Sequence, residues 1–140
     1  MGEMNMRFVK VFLAMCVLSM VVACGSKRDI EQREVSVYIV VEDTTTSSVL
    51  FEGEISAVGE IETLEDLLAI VPELEVVMSK GAYGVQIDSI LGVKTENWSK
   101  GPWWVFSSDN NTSCVEMGMC PAISEVVIEN NNRFKFEFIQ

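Results

Sequence analysis

The chain has no histidine at all among its 140 residues. That single absence removes every Ser-His-Asp and Cys-His nucleophile arrangement and every histidine-ligated metal site. Basic residues are also scarce: 10 Lys and Arg stand against 21 Asp and Glu, a formal net charge of −11. Two of the ten, Arg7 and Lys10, sit near the start, so the remainder is still more lopsided. Such a surface repels phosphate backbones and anionic lipid headgroups, which disfavours nucleic acid as a partner. Proline is rare as well, with 3 in the chain, and there is no internal repeat. What is present in unusual form is one uncharged apolar run near the start.

That run, Val11 to Ala23, reads VFLAMCVLSMVVA behind Arg7 and Lys10. It is too short to cross a hydrocarbon core, which takes about 20 apolar residues, and it suits the apolar region of a secretory signal. Its end, Val21-Val22-Ala23-Cys24, resembles the lipobox of bacterial lipoproteins. In that family the cysteine thiol receives a diacylglyceryl group and the signal is cut just before it. The resemblance implies a signal peptide over residues 1–23, lipidation at Cys24 with palmitate-type chains, and a membrane anchor on the extracytoplasmic face of the cell membrane. Two acyl chains hold a protein stably where one binds only marginally. Residues 24–34 (CGSKRDIEQRE), charged and nearly free of apolar side chains, read as the lipidated cysteine and a tether.

Residues 35–140 form one domain of ordinary size. Val35, Val37, Ile39 and Val41 alternate with Ser36, Tyr38 and Val40, the period of a half-buried strand. After the polar connection DTTTSS, Val49, Phe51 and Ile55 continue the alternation and predict a hairpin. Thr63-Leu-Glu-Asp66 has the spacing of a capping box, with aspartate for the usual Glu or Gln. Leu64, Leu67, Leu68 and Val71 then mark one face of a helix. Pro72 ends or kinks it, and Glu73 to Met78 read as its resumption. Tyr83, Val85, Ile87 and Ser89 alternate again, followed by Ile90-Leu-Gly-Val93. GPWWVF (101–106) is an aromatic strand opened by a proline, residues 107–122 a long polar loop, and Ile123 to Ile128 a brief pairing segment. Asn130-Asn131-Asn132 is a turn that tolerates positive φ. In Arg133-Phe-Lys-Phe-Glu-Phe138 the three phenylalanines share one face. The order β-β-α-β-β-β predicts an α+β domain, one helix on a mixed sheet. With the last strand returning to a central place, this is a β-grasp (ubiquitin-like) arrangement.

Few residues carry chemistry. Cys114 and Cys120, six apart, most simply form a disulfide outside the membrane. A redox pair is the alternative, but Cys-x-x-Cys spacing and a cationic neighbour are both missing. A calcium loop starting at Asp109 fails because cysteines occupy its sixth and twelfth positions, where Gly and Glu belong. Glu60, Glu62, Glu65 and Asp66 stand near the helix start and stabilise its dipole. Asn97-Trp-Ser99 and Asn110-Asn-Thr112 fit the glycosylation sequon, a use that a bacterial lipobox argues against. Trp103 and Trp104, adjacent on a strand, point to opposite faces. One is expected in the core, and the other is expected either under the cysteine loop or exposed near Tyr83, where aromatic rings stack on flat ligands or anchor an interface.

The segments LEDLLAIV, GAYGVQIDSILGV, GPWWVFSSDNN and ISEVVIENNNRFKFEF resemble the transcobalamin and intrinsic factor C-terminal-like domain, a domain of unknown function on many bacterial lipoproteins. The resemblance covers residues 35–140. It implies a β-grasp fold and a non-enzymatic ligand- or protein-binding role, with no resident cofactor. A corrinoid such as cobalamin is the flat ligand it suggests, at Tyr83, Trp103 and Trp104. In transcobalamin and intrinsic factor a separate helical domain completes the site, and no counterpart is legible in this sequence. The family's Gly-Asp before the last strand is Asn131-Asn132 here, and the cysteine loop is an insertion. A structural or assembly lipoprotein, its aromatic strand against another protein, is the alternative class.

Overall fold

A computed structural model describes residues 31–140. The proposed signal peptide (1–23), the lipidation site Cys24 and most of the tether lie outside the described residues. Among the described residues no helix is long and apolar enough to cross a membrane.

The alternating apolar residues of the first segment produce strand β1 (Arg33–Asp43), which therefore begins inside the expected tether. It pairs antiparallel with β2 (Ser48–Gly59), with a register shift between Val41 and Glu42. The capping box is real. Thr63 Oγ1 accepts from the Asp66 backbone N–H at 3.3 Å, and Asp66 Oδ2 accepts from the Thr63 N–H at 3.0 Å. This starts helix α1 (Leu64–Ile70), whose Leu64, Leu67 and Leu68 are buried.

Pro72 ends α1, but the helix does not resume over Glu73–Met78. Pro72–Leu74 makes one 3-10 turn, Glu75 adopts a left-handed conformation at φ 46°, and the chain enters β3 (Val77–Gly81). Proline lacks the N–H that a continuing helix needs, and a left-handed residue reverses the chain. Strand β4 (Gly84–Ile90) pairs antiparallel with β3 and with the short β5 (Val93–Lys94). Leu91 and Gly92, at φ 50° and 78°, form the turn between β4 and β5. Positive φ at both central positions matches the right-handed twist of the flanking strands.

Strand β6 (Trp103–Ser107) and the last strand β7 (Arg133–Ile139) complete the architecture. The polar loop expected over residues 107–122 contains a second helix, α2 (Thr112–Met117). Asn111 caps its start, and Gly118 ends it at φ 75°. The segment 123–128 makes one isolated bridge, Val127 to Thr63. One sheet therefore becomes two: a four-stranded sheet in the order β2-β1-β7-β6 and a three-stranded sheet β3-β4-β5. The domain is α+β, with few helices. β7 lies parallel to β1 (Tyr38 opposite Arg133 through Asp43 opposite Phe138) and antiparallel to β6. One face of the larger sheet carries Val35, Val37, Ile39, Val41, Phe134, Phe136 and Phe138 into a shared core with α1 and Ile90.

Candidate functional site

The two tryptophans of β6 separate as adjacent strand residues must. Trp104 turns inward and is 8% exposed. Its ring lies against Phe138 with centroids 5.0 Å apart, and its indole N–H donates to the Val93 carbonyl at 2.8 Å. A buried indole needs such a partner, so Trp104 is a satisfied core residue that ties the two sheets together.

Trp103 faces outward and is half-buried. Its N–H donates to the Trp98 carbonyl at 2.9 Å. Its ring lies so close over Gly101 that a Cβ there would stand 2.7 Å from it. Gly101, at φ 72°, is thus required both by conformation and by space. The backbone of the segment Trp98–Gly101 therefore partly covers Trp103, so the outer ring is neither fully exposed beside Tyr83 nor shown to lie under the cysteine loop.

Tyr83 is elsewhere. It sits in the two-residue turn between β3 and β4 and is 99% exposed. Trp104 is fastened to Val93, which pairs with Ile90 at the far end of β4. Seven residues of strand separate the two ends, about 20 Å at about 3.3 Å per residue. The structure thus does not gather Tyr83, Trp103 and Trp104 at one surface.

The tip bearing Tyr83 meets the cysteine-bearing segment instead. A Cβ on Gly84 would stand 3.9 Å from the Ala122 Cβ. Cys114 and Cys120 are joined by a disulfide. Cys114 is buried, and Val115, Met117 and Met119 are exposed on the same segment. The base of this segment is held by two buried asparagines, Asn111 and Asn132, which the sequence offers only as members of a sequon and of a turn. Asn111 Nδ2 donates to the Val127 carbonyl and to Asn132 Oδ1, both at 2.8 Å. Asn111 Oδ1 accepts from the Cys114 N–H at 3.2 Å, and Asn132 Oδ1 accepts from the Glu129 N–H at 2.9 Å. The Asn-x-x-Cys spacing with Gly118 beyond it is the helix-start and helix-stop signal that locates α2.

Beside this hub Glu129 accepts from the Thr112 backbone N–H at 2.7 Å and from its hydroxyl at 2.8 Å. The Thr112 backbone bond, then the hydroxyl bond, hold its carboxyl below the ordinary carboxylate value. Each of these groups is accounted for by capping or by loop closure. Among the described residues no group of three or more Cys, Asp or Glu side chains stands close enough to hold a metal ion. The Asp109 to Asn111 stretch serves the loop as well. Asp109 pairs with Arg133 at 3.1 Å, and Asn110 Oδ1 accepts from the Arg133 N–H at 2.7 Å.

No protein-family model matches the sequence, and no curated protein does. Among solved structures, a protein of Ruminococcus gnavus ATCC 29149, provisionally described as metal-binding, is similar. The TM-score is 0.52 at 14% identity, covering 74% of this chain and 94% of that one. Haptocorrin in complex with Cbi matches at TM-score 0.48 and 14% identity, over 79% of this chain but 26% of haptocorrin. The first likeness bears on the fold alone, and the second is too weak to bear on a ligand.

Proposed function

We propose that this chain is a lipid-anchored, non-enzymatic binding module on the extracytoplasmic face of a membrane. In this reading residues 1–23 are the signal peptide and Cys24 carries the lipid. Residues 35–140 are a β-grasp domain of the transcobalamin C-terminal kind. The parallel pairing of the first and last strands at the centre of the order β2-β1-β7-β6, with α1 against the core face, supports the β-grasp assignment.

The observation that carries the binding role is the tip of the β3–β4 hairpin. A tyrosine 99% exposed at a tight turn, beside a segment stapled by a disulfide and showing Val115, Met117 and Met119 to solvent, is a rigid apolar projection. Isolated exposed apolar residues need no explanation, but an aromatic side chain on a tight turn, beside a stapled segment that exposes methionines, suits recognition of a flat or apolar ligand. Trp103 and Trp104 belong to the framework in this reading, and a corrinoid is one ligand of the right shape.

Two measurements test the reading. Cys24→Ala should abolish acyl labelling of the chain in cells, and equal labelling would remove the anchor. Residues 31–140 enclose their own core, so the isolated domain serves for a screen against corrinoids, haem and glycans by fluorescence quenching. Binding that Tyr83→Ala weakens and Trp103→Ala leaves unchanged supports the tip as the site. The reverse pattern would move the site to β6.

A further inference from the structure

One edge of the larger sheet is long, bare and acidic. Strand β2 runs for 12 residues and pairs with β1 on one side only. Among the described residues no backbone hydrogen bond joins its other side to any segment. Unpaired edges are usually blunted by charged side chains, especially Lys, by Pro or by a bulge, and the charges on this one, Glu52 and Glu54, are both negative. Here the sequence SVLFEGEISAVG contains neither Lys nor Pro. The register shift lies near its start, between the pairs Val41–Phe51 and Glu42–Val49. From Phe51 to Gly59 the edge is regular.

Toward its end this edge is walled by helix α1. A Cβ on Gly59 would stand 3.3 Å from Ile70 Cδ1. Between the strand and the end of the helix lies an open groove of about 510 Å³, whose lining includes Ala57, Val58, Ile70, Glu60 and Glu73. Val58 and Ile70 are exposed there. No Lys or Arg lines the groove. Glu52 and Glu54 extend the negative charge along the strand, and neither they nor Glu60 and Glu73 have a cationic partner among the described residues.

We propose that this edge and groove accept an additional strand, supplied by a partner protein as an extended segment in which Lys or Arg alternates with apolar residues. Strand addition draws affinity from main-chain hydrogen bonds and specificity from alternate side chains. Apolar residues of the segment would enter the groove against Ile70, on the face of the strand that carries Ala57. The intervening cations would meet Glu52, Glu54 and Glu60. A second copy of this chain is the poorer occupant, because edge-to-edge pairing would bring two glutamate-bearing strands together, and like charges placed opposite one another are destabilising. The surface is separate from the Tyr83 tip, so it stands or falls independently of the ligand reading.

The test uses the full chain in mild detergent and a fluorescein-labelled peptide, Lys-Val-Lys-Val-Lys-Val-Lys. Saturable binding is expected, with slowed amide hydrogen exchange in residues 48–59 and unchanged exchange in β6, the opposite edge. Ile70→Ser, and separately the pair Glu60→Lys with Glu73→Lys, should each weaken binding, the charge reversal by about tenfold or more. Circular dichroism checks that these surface variants remain folded. The same peptide N-methylated at alternate residues keeps its charge but loses half its pairing groups, and it should bind far more weakly. Equal binding of the N-methylated peptide would reduce the interaction to charge attraction and overturn the proposal. Protection outside residues 48–59, or no binding at all, would overturn it as well.

Discussion

Phe136 and Lys135 are neighbours in sequence and opposites in environment. Phe136 is fully buried and its ring lies 5.8 Å from that of Phe106. Lys135 reaches Glu42 at 3.2 Å and Glu137 at 3.3 Å on the outer face. Phe136→Ala should destabilise the domain by about 3–5 kcal/mol, the range for truncating a buried aromatic. Lys135→Ala should cost a small fraction of that, because exposed ion pairs contribute little. Urea unfolding of both variants checks this, and similar losses would mean that the strand's facing is wrong. Glu129 offers a pH-dependent counterpart. Its folded pKa is lowered, chiefly by the Thr112 backbone N–H. Its contribution is therefore present above the ordinary carboxylate pKa and is lost as pH falls through the lower folded value. Glu129→Gln should be less stable than the parent at pH 7, with the gap narrowing at pH 3. A gap that does not narrow in the acid melts would show that the carboxylate charge is not what Thr112 recognises.

At the scale of elements, the Cys114–Cys120 disulfide closes the segment that carries α2. A loop of this length gives roughly 2 kcal/mol by chain-entropy reasoning. Replacing Cys114 and Cys120 together by serine should lower stability by about that amount, measured against the oxidised parent. Amide exchange should accelerate first over residues 112–122. Peptide mapping without reductant should show the Cys114–Cys120 link, and two freely alkylatable thiols would contradict it. Strands β1 and β7 and helix α1 were legible in the sequence because each has one strong period and a clear boundary, such as the Thr63–Asp66 box. The 3-10 turn at Pro72 and strand β3 were not. Leu74 and Val76 continue an apolar pattern compatible with a helix, and only the left-handed Glu75 decides against it. Helix α2 was hidden by its polar composition, although Asn111 and Gly118 mark its ends. The disulfide followed from cysteine arithmetic. The separation of Tyr83 from Trp104 did not, because it depends on which end of β4 receives β6.

For the molecule as a whole, the pairing that closes the sheet joins the beginning of the domain to its end. Strand β7 lies between β1 and β6, so the two halves of the sheet meet only through residues 133–139. Its contacts with β1 are far apart in sequence, and such non-local pairing slows folding because loop closure precedes the gain from contact. The same arrangement has a mechanical consequence. β1 and β7 run parallel through six residue pairs, Tyr38–Arg133 to Asp43–Phe138. A force drawing residue 33 away from residue 139 pulls the two strands in opposite senses along their length, so all of those hydrogen bonds are loaded in shear at once. A force between residues 33 and 59, which lie at the same end of the antiparallel β1–β2 pair, opens that ladder one bond at a time. Single-molecule pulling should therefore give a higher rupture force for handles at 33 and 139 than for handles at 33 and 59. A domain held at one end and tugged at the other would be gripped along the line where it resists most.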